Sequence, residues 1–275
     1  MMGVNEWPYN NDRPGKPYSL KHCLKGLETH EKIRNELNFR ALALSGSPTR
    51  ANRKLGGELE FCGRIPCGSA ACPRCFHRFR QWSFAEFRHL SEQFDPVLMM
   101  TVLFYSEMMT DKQLFAYDFQ KLMNRLWRQL ERSGFTCPVV GYLEFDYHAE
   151  SGLWLPHFHL MVLGDEPEAM KEFRRFCSKQ KRVNGGASVS RPVHVSKLKD
   201  AGKQLSYLCK SYCSRIEAYS DQNGKRRTKK YRLKPNQLKL SLRVMDRLEF
   251  TGRLFLYGAR RVGSEIRVAA VNDKF

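Results

Sequence analysis

The sequence predicts an α+β protein in which a central antiparallel sheet carries its helices on one face, preceded by a small zinc-binding module. Three observations predict it. Apolar runs of strand length alternate with stretches of helical spacing from residue 96 onward. Two of those strands meet at Ser151-Gly152, a hairpin signal. Four cysteines crowd between Cys62 and Cys75, ahead of the alternating region.

Each element follows from its pattern. Leu27–Leu44 and Gln81–Gln93 read as helices, the second with Trp82, Phe84, Phe87 and Leu90 near one stripe. Val97–Phe104 is a nearly continuous apolar strand with Thr101 as its one hydroxyl. Asp111–Arg132 has helical spacing through Leu114, Phe115, Phe119, Leu122, Leu126 and Leu130. Val139–Tyr147 and Leu153–Leu163 are strands, Pro167–Lys181 is an amphipathic helix, Pro192–Ser196 a short strand and Gly202–Ile216 a helix. The order β-α-β-β-α-β-α is that of a ferredoxin-like, split-βαβ arrangement. Lys225–Lys234 carries seven basic residues in ten and reads as a mobile arm. Pro235–Arg261 reads as a helix followed by a short strand, Arg253–Tyr257. These elements divide the chain into an N-terminal segment (1–55), a cysteine-rich zinc module with its linking helix (56–94), an α+β domain (95–218) and a basic loop with C-terminal extension (219–275).

The 275 residues carry 47 Lys+Arg against 28 Asp+Glu, a net charge of +19. Such an excess points to a polyanion, above all nucleic acid, because each phosphate neutralised releases counterions. The hydrophobic fraction of 42% is that of a globular chain. No apolar run is long enough to span a bilayer and no signal-peptide pattern opens the chain, so a cytoplasmic protein without a membrane partner is expected. In that setting crowded cysteines point to metal ligation or free thiols rather than disulfides.

The most informative stretch is Pro156-His157-Phe158-His159-Leu160. Alternate side chains of a strand point to opposite faces, so the two imidazoles share a face while Phe158 and Leu160 enter a core. With the hairpin centred near Ser151-Gly152, Glu144 is expected beside His159 and Asp146 beside His157. Two imidazoles and a carboxylate with open positions suit a divalent ion, and the hard carboxylate favours Mg²⁺ or Mn²⁺. Glu144 is the preferred third ligand and Asp146 the runner-up. His194, His148, His89 and His22 lack such company.

Leu205, Leu208, Cys209, Tyr212 and Ile216 have the spacing of a buried helical stripe. Tyr212 is therefore expected in or near the core. Tyr207 falls on the other side, flanked by Lys203 and Lys210, and is the candidate nucleophile. Lys210 is placed to stabilise charge on a transferring phosphate. Cys62, Cys67, Cys72 and Cys75 are candidate Zn²⁺ ligands, with His77 as a substitute for one thiolate. Arg64, Arg74, Arg78 and Arg80 beside them, and Lys225, Arg226, Arg227, Lys229 and Lys230 in the basic run, are candidate DNA contacts.

Three of these blocks, in order, resemble the HUH superfamily of single-strand DNA endonucleases, and within it the rolling-circle replication initiators (Rep proteins): the apolar strand with Thr101, the strand with His157 and His159, and Tyr207-Leu208-Cys209-Lys210. The resemblance covers about residues 96–216. It implies the HUH nuclease fold and a nickase and strand transferase of the single-tyrosine type. Tyr207 would attack a phosphodiester, leaving a 5′-phosphotyrosine and a free 3′-hydroxyl at a single-stranded or hairpin origin, with later rejoining. It further implies that His157, His159 and, by analogy, Glu144 hold the divalent ion, and that a host helicase and polymerase act on the product. Two other readings stand beside it: a rolling-circle transposase of the same superfamily, and a non-catalytic zinc-dependent nucleic-acid-binding protein.

Overall fold

The computed structural model describes residues 29–63, 66–180, 191–208 and 212–269. Three helices come first: α1 (His30–Ser45), α2 (Arg50–Glu60) and α3 (Pro73–Ser91). Pro73 opens α3 at a position where its missing N–H costs nothing, and Cys72 is the cap residue before it. This helix is longer than the predicted Gln81–Gln93, because the Cys72-Pro73-Arg74-Cys75 segment is its first turn.

The sheet begins with β1 (Val97–Leu103). The stretch expected as one helix over Asp111–Arg132 divides into α4 (Asp111–Ala116) and α5 (Phe119–Arg132). The reason is local: extended Asp118 caps α5, its carboxylate accepting from the N–H groups of Gln120 and Lys121. Strands β2 (Val139–His148) and β3 (Leu153–Leu163) form the central hairpin, followed by α6 (Pro167–Ser178), β4 (Val193–Lys197) and α7 (Ala201–Leu208). Lys181, the predicted end of α6, lies outside the described residues.

Beyond α7 the sequence reading fails twice. The predicted helix does not run to Ile216: Arg215–Ser220 is strand β5. The basic run is not an arm but strand β6 (Arg226–Tyr231), paired antiparallel along β5. Its six residues are all exposed, so it has no apolar alternation to announce it. The chain ends in α8 (Pro235–Leu248), β7 (Leu254–Tyr257) and a separate hairpin of β8 (Ala259–Val262) and β9 (Glu265–Val268).

The seven-stranded sheet runs β4-β1-β3-β2-β5-β6, and β7 shares the outer edge of β2. Strand β7 takes Val139–Tyr142 of that edge, and β5 takes Tyr147–His148 in parallel. The sheet is therefore mixed, where a purely antiparallel one was expected. Close approach at its centre depends on Gly141, where a Cβ would lie 2.1 Å from the His159 carbonyl oxygen.

Helices cover both faces, not one. On one side Phe119 of α5 packs on Phe145 at 5.5 Å between ring centres. On the other, Phe79 and Phe87 of α3 pack against Tyr142, each at 5.5 Å, and the Ser83 hydroxyl hydrogen-bonds the Tyr142 hydroxyl at 2.6 Å. The cysteine-bearing helix thus shares one continuous hydrophobic core with the sheet. No helix among the described residues is long and apolar enough to cross a membrane.

Candidate metal centres and nucleophile

The hairpin register sets the first site. Four residues, 149–152, make the loop, with Gly152 at φ +70° and its N–H bonded to the His148 carbonyl. The loop centre therefore lies one residue earlier than Ser151-Gly152, and every partner shifts by two. Glu144 lies opposite His157, Tyr142 opposite His159, and Asp146 opposite Leu155. A shift of two keeps each side chain on its face, so Glu144 stays with the imidazoles while Asp146 moves away.

The Nε2 atoms of His157 and His159 lie 3.5 and 3.4 Å from Glu144 Oε2. All three side chains are buried. Each imidazole is oriented from behind. His157 Nδ1 donates to the Leu155 carbonyl at 3.2 Å, and His159 Nδ1 is hydrogen-bonded to the Thr101 hydroxyl at 3.0 Å. With Nδ1 of His157 holding the proton, its Nε2 offers a lone pair toward Glu144. Such separations are those of ligand atoms sharing one ion held about 2.1 Å from each. The three residues could hold a metal ion.

Tyr207 closes the site from α7. Leu205 and Leu208 are buried, which turns Tyr207 outward, and its ring meets that of His159 edge-on at 5.1 Å. Its hydroxyl is 3.4 Å from Lys230 Nζ on β6. The same ammonium lies 3.4 Å from Asp146 Oδ2, and Asp146 Oδ1 accepts from the Ser214 N–H at 2.6 Å. Asp146, the runner-up ligand, is thus engaged by Ser214 and Lys230 and is not in the ligand cluster. Of the lysines expected beside Tyr207, Lys203 pairs with Asp200 at 3.5 Å, and Lys210, like Cys209, lies outside the described residues. Tyr212 is not a core residue: it lies beyond the described end of α7 and is exposed.

The second site is the cysteine cluster. Sulfur separations are 3.6 Å for Cys62–Cys75, 3.7 Å for Cys67–Cys75 and 3.5 Å for Cys72–Cys62. A disulfide needs about 2.05 Å, and all four thiols are free. A tetrahedron with Zn–S bonds of about 2.3 Å has edges of about 3.8 Å, close to these distances. The cluster is compatible with structural zinc. Hydrogen bonds among the sulfurs pull the Cys62 thiol down and push Cys67 and Cys72 up, and Cys75 is lowered as well, so the four thiols titrate as one group. His77 is not in the cluster.

The predicted DNA contacts sort unevenly. Arg80 is buried, with its guanidinium donating to the Ser206 carbonyl at 2.9 Å; it ties α3 to α7 and is not presented to DNA. Arg74 donates to the Cys62 carbonyl, and with Arg78, Arg34, His30 and His77 it lines a cavity of about 800 Å³ beside the cluster. Arg64 and His22 lie outside the described residues. On the β5–β6 hairpin, Lys225 and Lys229 are exposed, Arg226 pairs with Glu150 and Arg227 with Asp221. His194 is exposed, and His148 and His89 are half-buried. A scan of family models, a search of curated proteins and a search of solved structures each found no match to this chain.

Proposed function

We propose that the chain is a single-strand DNA nickase and strand transferase of the rolling-circle initiator type, with Tyr207 as nucleophile. The observation that carries this reading is the convergence of a half-exposed phenol on the two-imidazole, one-carboxylate cluster: the Tyr207 and His159 rings are 5.1 Å apart. A phenol this close to the cluster can reach a phosphate bound beside it. His157, His159 and Glu144 would hold Mg²⁺ or Mn²⁺, which would supply Lewis acidity to a phosphoryl oxygen. Thr101 and the Leu155 carbonyl fix the two rings. The Tyr207 oxygen forms a bond to phosphorus as the bond from phosphorus to the 3′-oxygen breaks. The phenolic proton leaves to solvent and the 3′-oxygen takes one up. The product is a 5′-phosphotyrosine, whose retained phosphodiester energy permits rejoining without a nucleotide cofactor.

The four cysteines hold a structural Zn²⁺ that fixes the first turn of α3, and the exposed cations of the chain, +19 in net charge, carry the DNA backbone. The test is to incubate the full chain with randomised single-stranded oligonucleotides and Mn²⁺, then look for a protein–DNA adduct that survives denaturation. The adduct is expected with the wild type and absent from Tyr207→Phe. Tight binding of the pool without any adduct would instead favour a non-catalytic DNA-binding protein.

A further inference from the structure

A phenol that attacks at neutral pH is helped by positive charge near its oxygen, and among the described residues Lys230 stands within 3.4 Å of the Tyr207 hydroxyl. We propose that Lys230, delivered by the β5–β6 hairpin, is a catalytic residue that acts directly on the Tyr207 oxygen and the transferred phosphate, with Asp146 as its anchor. This inference rests on the nuclease reading and adds to it a residue from an element outside the two-histidine strand and the tyrosine helix.

The geometry is a relay of three groups on two strands and a helix. Strand β5 runs parallel to the end of β2, with Arg215 opposite Tyr147, and β6 pairs with β5 so that Lys230 lies opposite Ile216. That register brings Lys230 to the same edge as Asp146 on β2. Asp146 is held in place by the Ser214 backbone N–H at 2.6 Å, which leaves its second oxygen for the ammonium at 3.4 Å. The ammonium then reaches Tyr207 Oη at 3.4 Å and lies 5.9 Å from the centre of its ring. Burial works against the charged form of Lys230, but Asp146, Tyr207 and Glu144 outweigh it and raise its pKa, so the lysine keeps its charge. Among the described residues, Lys203 pairs with Asp200, Arg226 with Glu150, Arg227 with Asp221 and Arg232 with Glu36.

In the step itself Lys230 keeps all three protons. It donates a hydrogen bond to the Tyr207 oxygen as negative charge grows there and, once the bond to phosphorus has formed, to a non-bridging phosphate oxygen. The phenolic proton goes to water, and the departing 3′-oxygen is protonated from water. Because the same contacts serve the reverse reaction, Lys230 lowers the barrier in both directions.

That symmetry is the signature to test. Using the trapped oligonucleotide recovered with the wild type, adduct formation and rejoining would be timed for wild type, Lys230→Met and Lys230→Arg, with single-strand affinity measured separately. Lys230→Met is expected to slow both directions by about 100-fold, with affinity altered by less than about 5-fold. Lys230→Arg, which retains the charge and the Asp146 pair, is expected to recover about 10-fold of the loss. Wild-type rates in Lys230→Met, or a loss wholly explained by weaker binding, would overturn the role of Lys230 and leave the nuclease standing. A melting curve for each variant separates misfolding from chemistry, and the arginine variant carries the test if the methionine variant does not fold; rates in it no better than in Lys230→Gln would then overturn the proposal. Absence of any adduct with wild-type protein would overturn both readings together.

Discussion

Two clusters of side chains that could hold a metal ion differ in the way that separates a closed site from an open one. Around Cys62, Cys67, Cys72 and Cys75 the donors are four mutually packed sulfurs, which fill a tetrahedron and leave no ligand position open. Around Glu144, His157 and His159 there are three donors on one sheet face, with a half-exposed tyrosine beside them. A closed shell of sulfur holds chain segments together; an open set of nitrogen and oxygen leaves room for substrate. Helix α3 joins the two: Cys75 lies in its first turn, Ser83 bonds Tyr142, and Arg80 grips the carbonyl next to Tyr207. The helix that begins in the thiol cluster therefore also braces the sheet and helix that carry the open one.

The comparison makes separable predictions. The largest effect should come from Cys72→Ser combined with Cys75→Ser, or from a strong chelator. Loss of structural zinc costs several kcal/mol, so the melting temperature should fall by about 10 °C or more while the zinc content drops to zero. Unchanged melting would remove the structural role. His159→Ala should do the reverse: adduct formation falls by about 1,000-fold, with melting shifted by only a few degrees. Large destabilisation there would mean that the imidazole is a packing residue.

A smaller change is expected from Thr101→Val, which removes the hydroxyl behind His159 at nearly constant volume. Mn²⁺ affinity, read by titration, should weaken about 10-fold, with zinc in the thiol cluster untouched. The smallest effect concerns a thiol in neither site. Burial pushes Cys177 up to about 12 from an ordinary 9.0. The unfolded chain then loses this proton first, so its stabilising contribution is whole below pH 9 and declines as pH rises toward 12. By pH 9.5 the loss should be just under about 1 kcal/mol in denaturant titrations, and Cys177→Ala should flatten that slope. An unchanged slope would show that other groups set the alkaline limit.

Much of the site was written in residue spacing. The i, i+2 histidines could share a face only in a strand, and Glu144 reached that face under either register, because an error of two residues preserves the side of the sheet. Asp146 shows the limit of such reasoning. Its neighbour depends on whether the loop holds two residues or four, and Ser151-Gly152 alone does not say. Lys230 was legible as one cation among seven, but nothing local distinguishes the one that folds back on a phenol from those that meet solvent.

Local chemistry in the chain determined what needs only neighbours along it: most strands and helices of the central region, the outward turn of Tyr207, the crowding of the four cysteines and the net charge of +19. Tertiary structure alone decided the mixed sheet, the covering by α3 of the face that carries Glu144 and the two histidines, the burial of Arg80 and the meeting of Asp146, Lys230 and Tyr207. Those side-chain contacts join residues 23 to 126 positions apart, where periodicity carries no information and only shared burial and complementary charge select the partner.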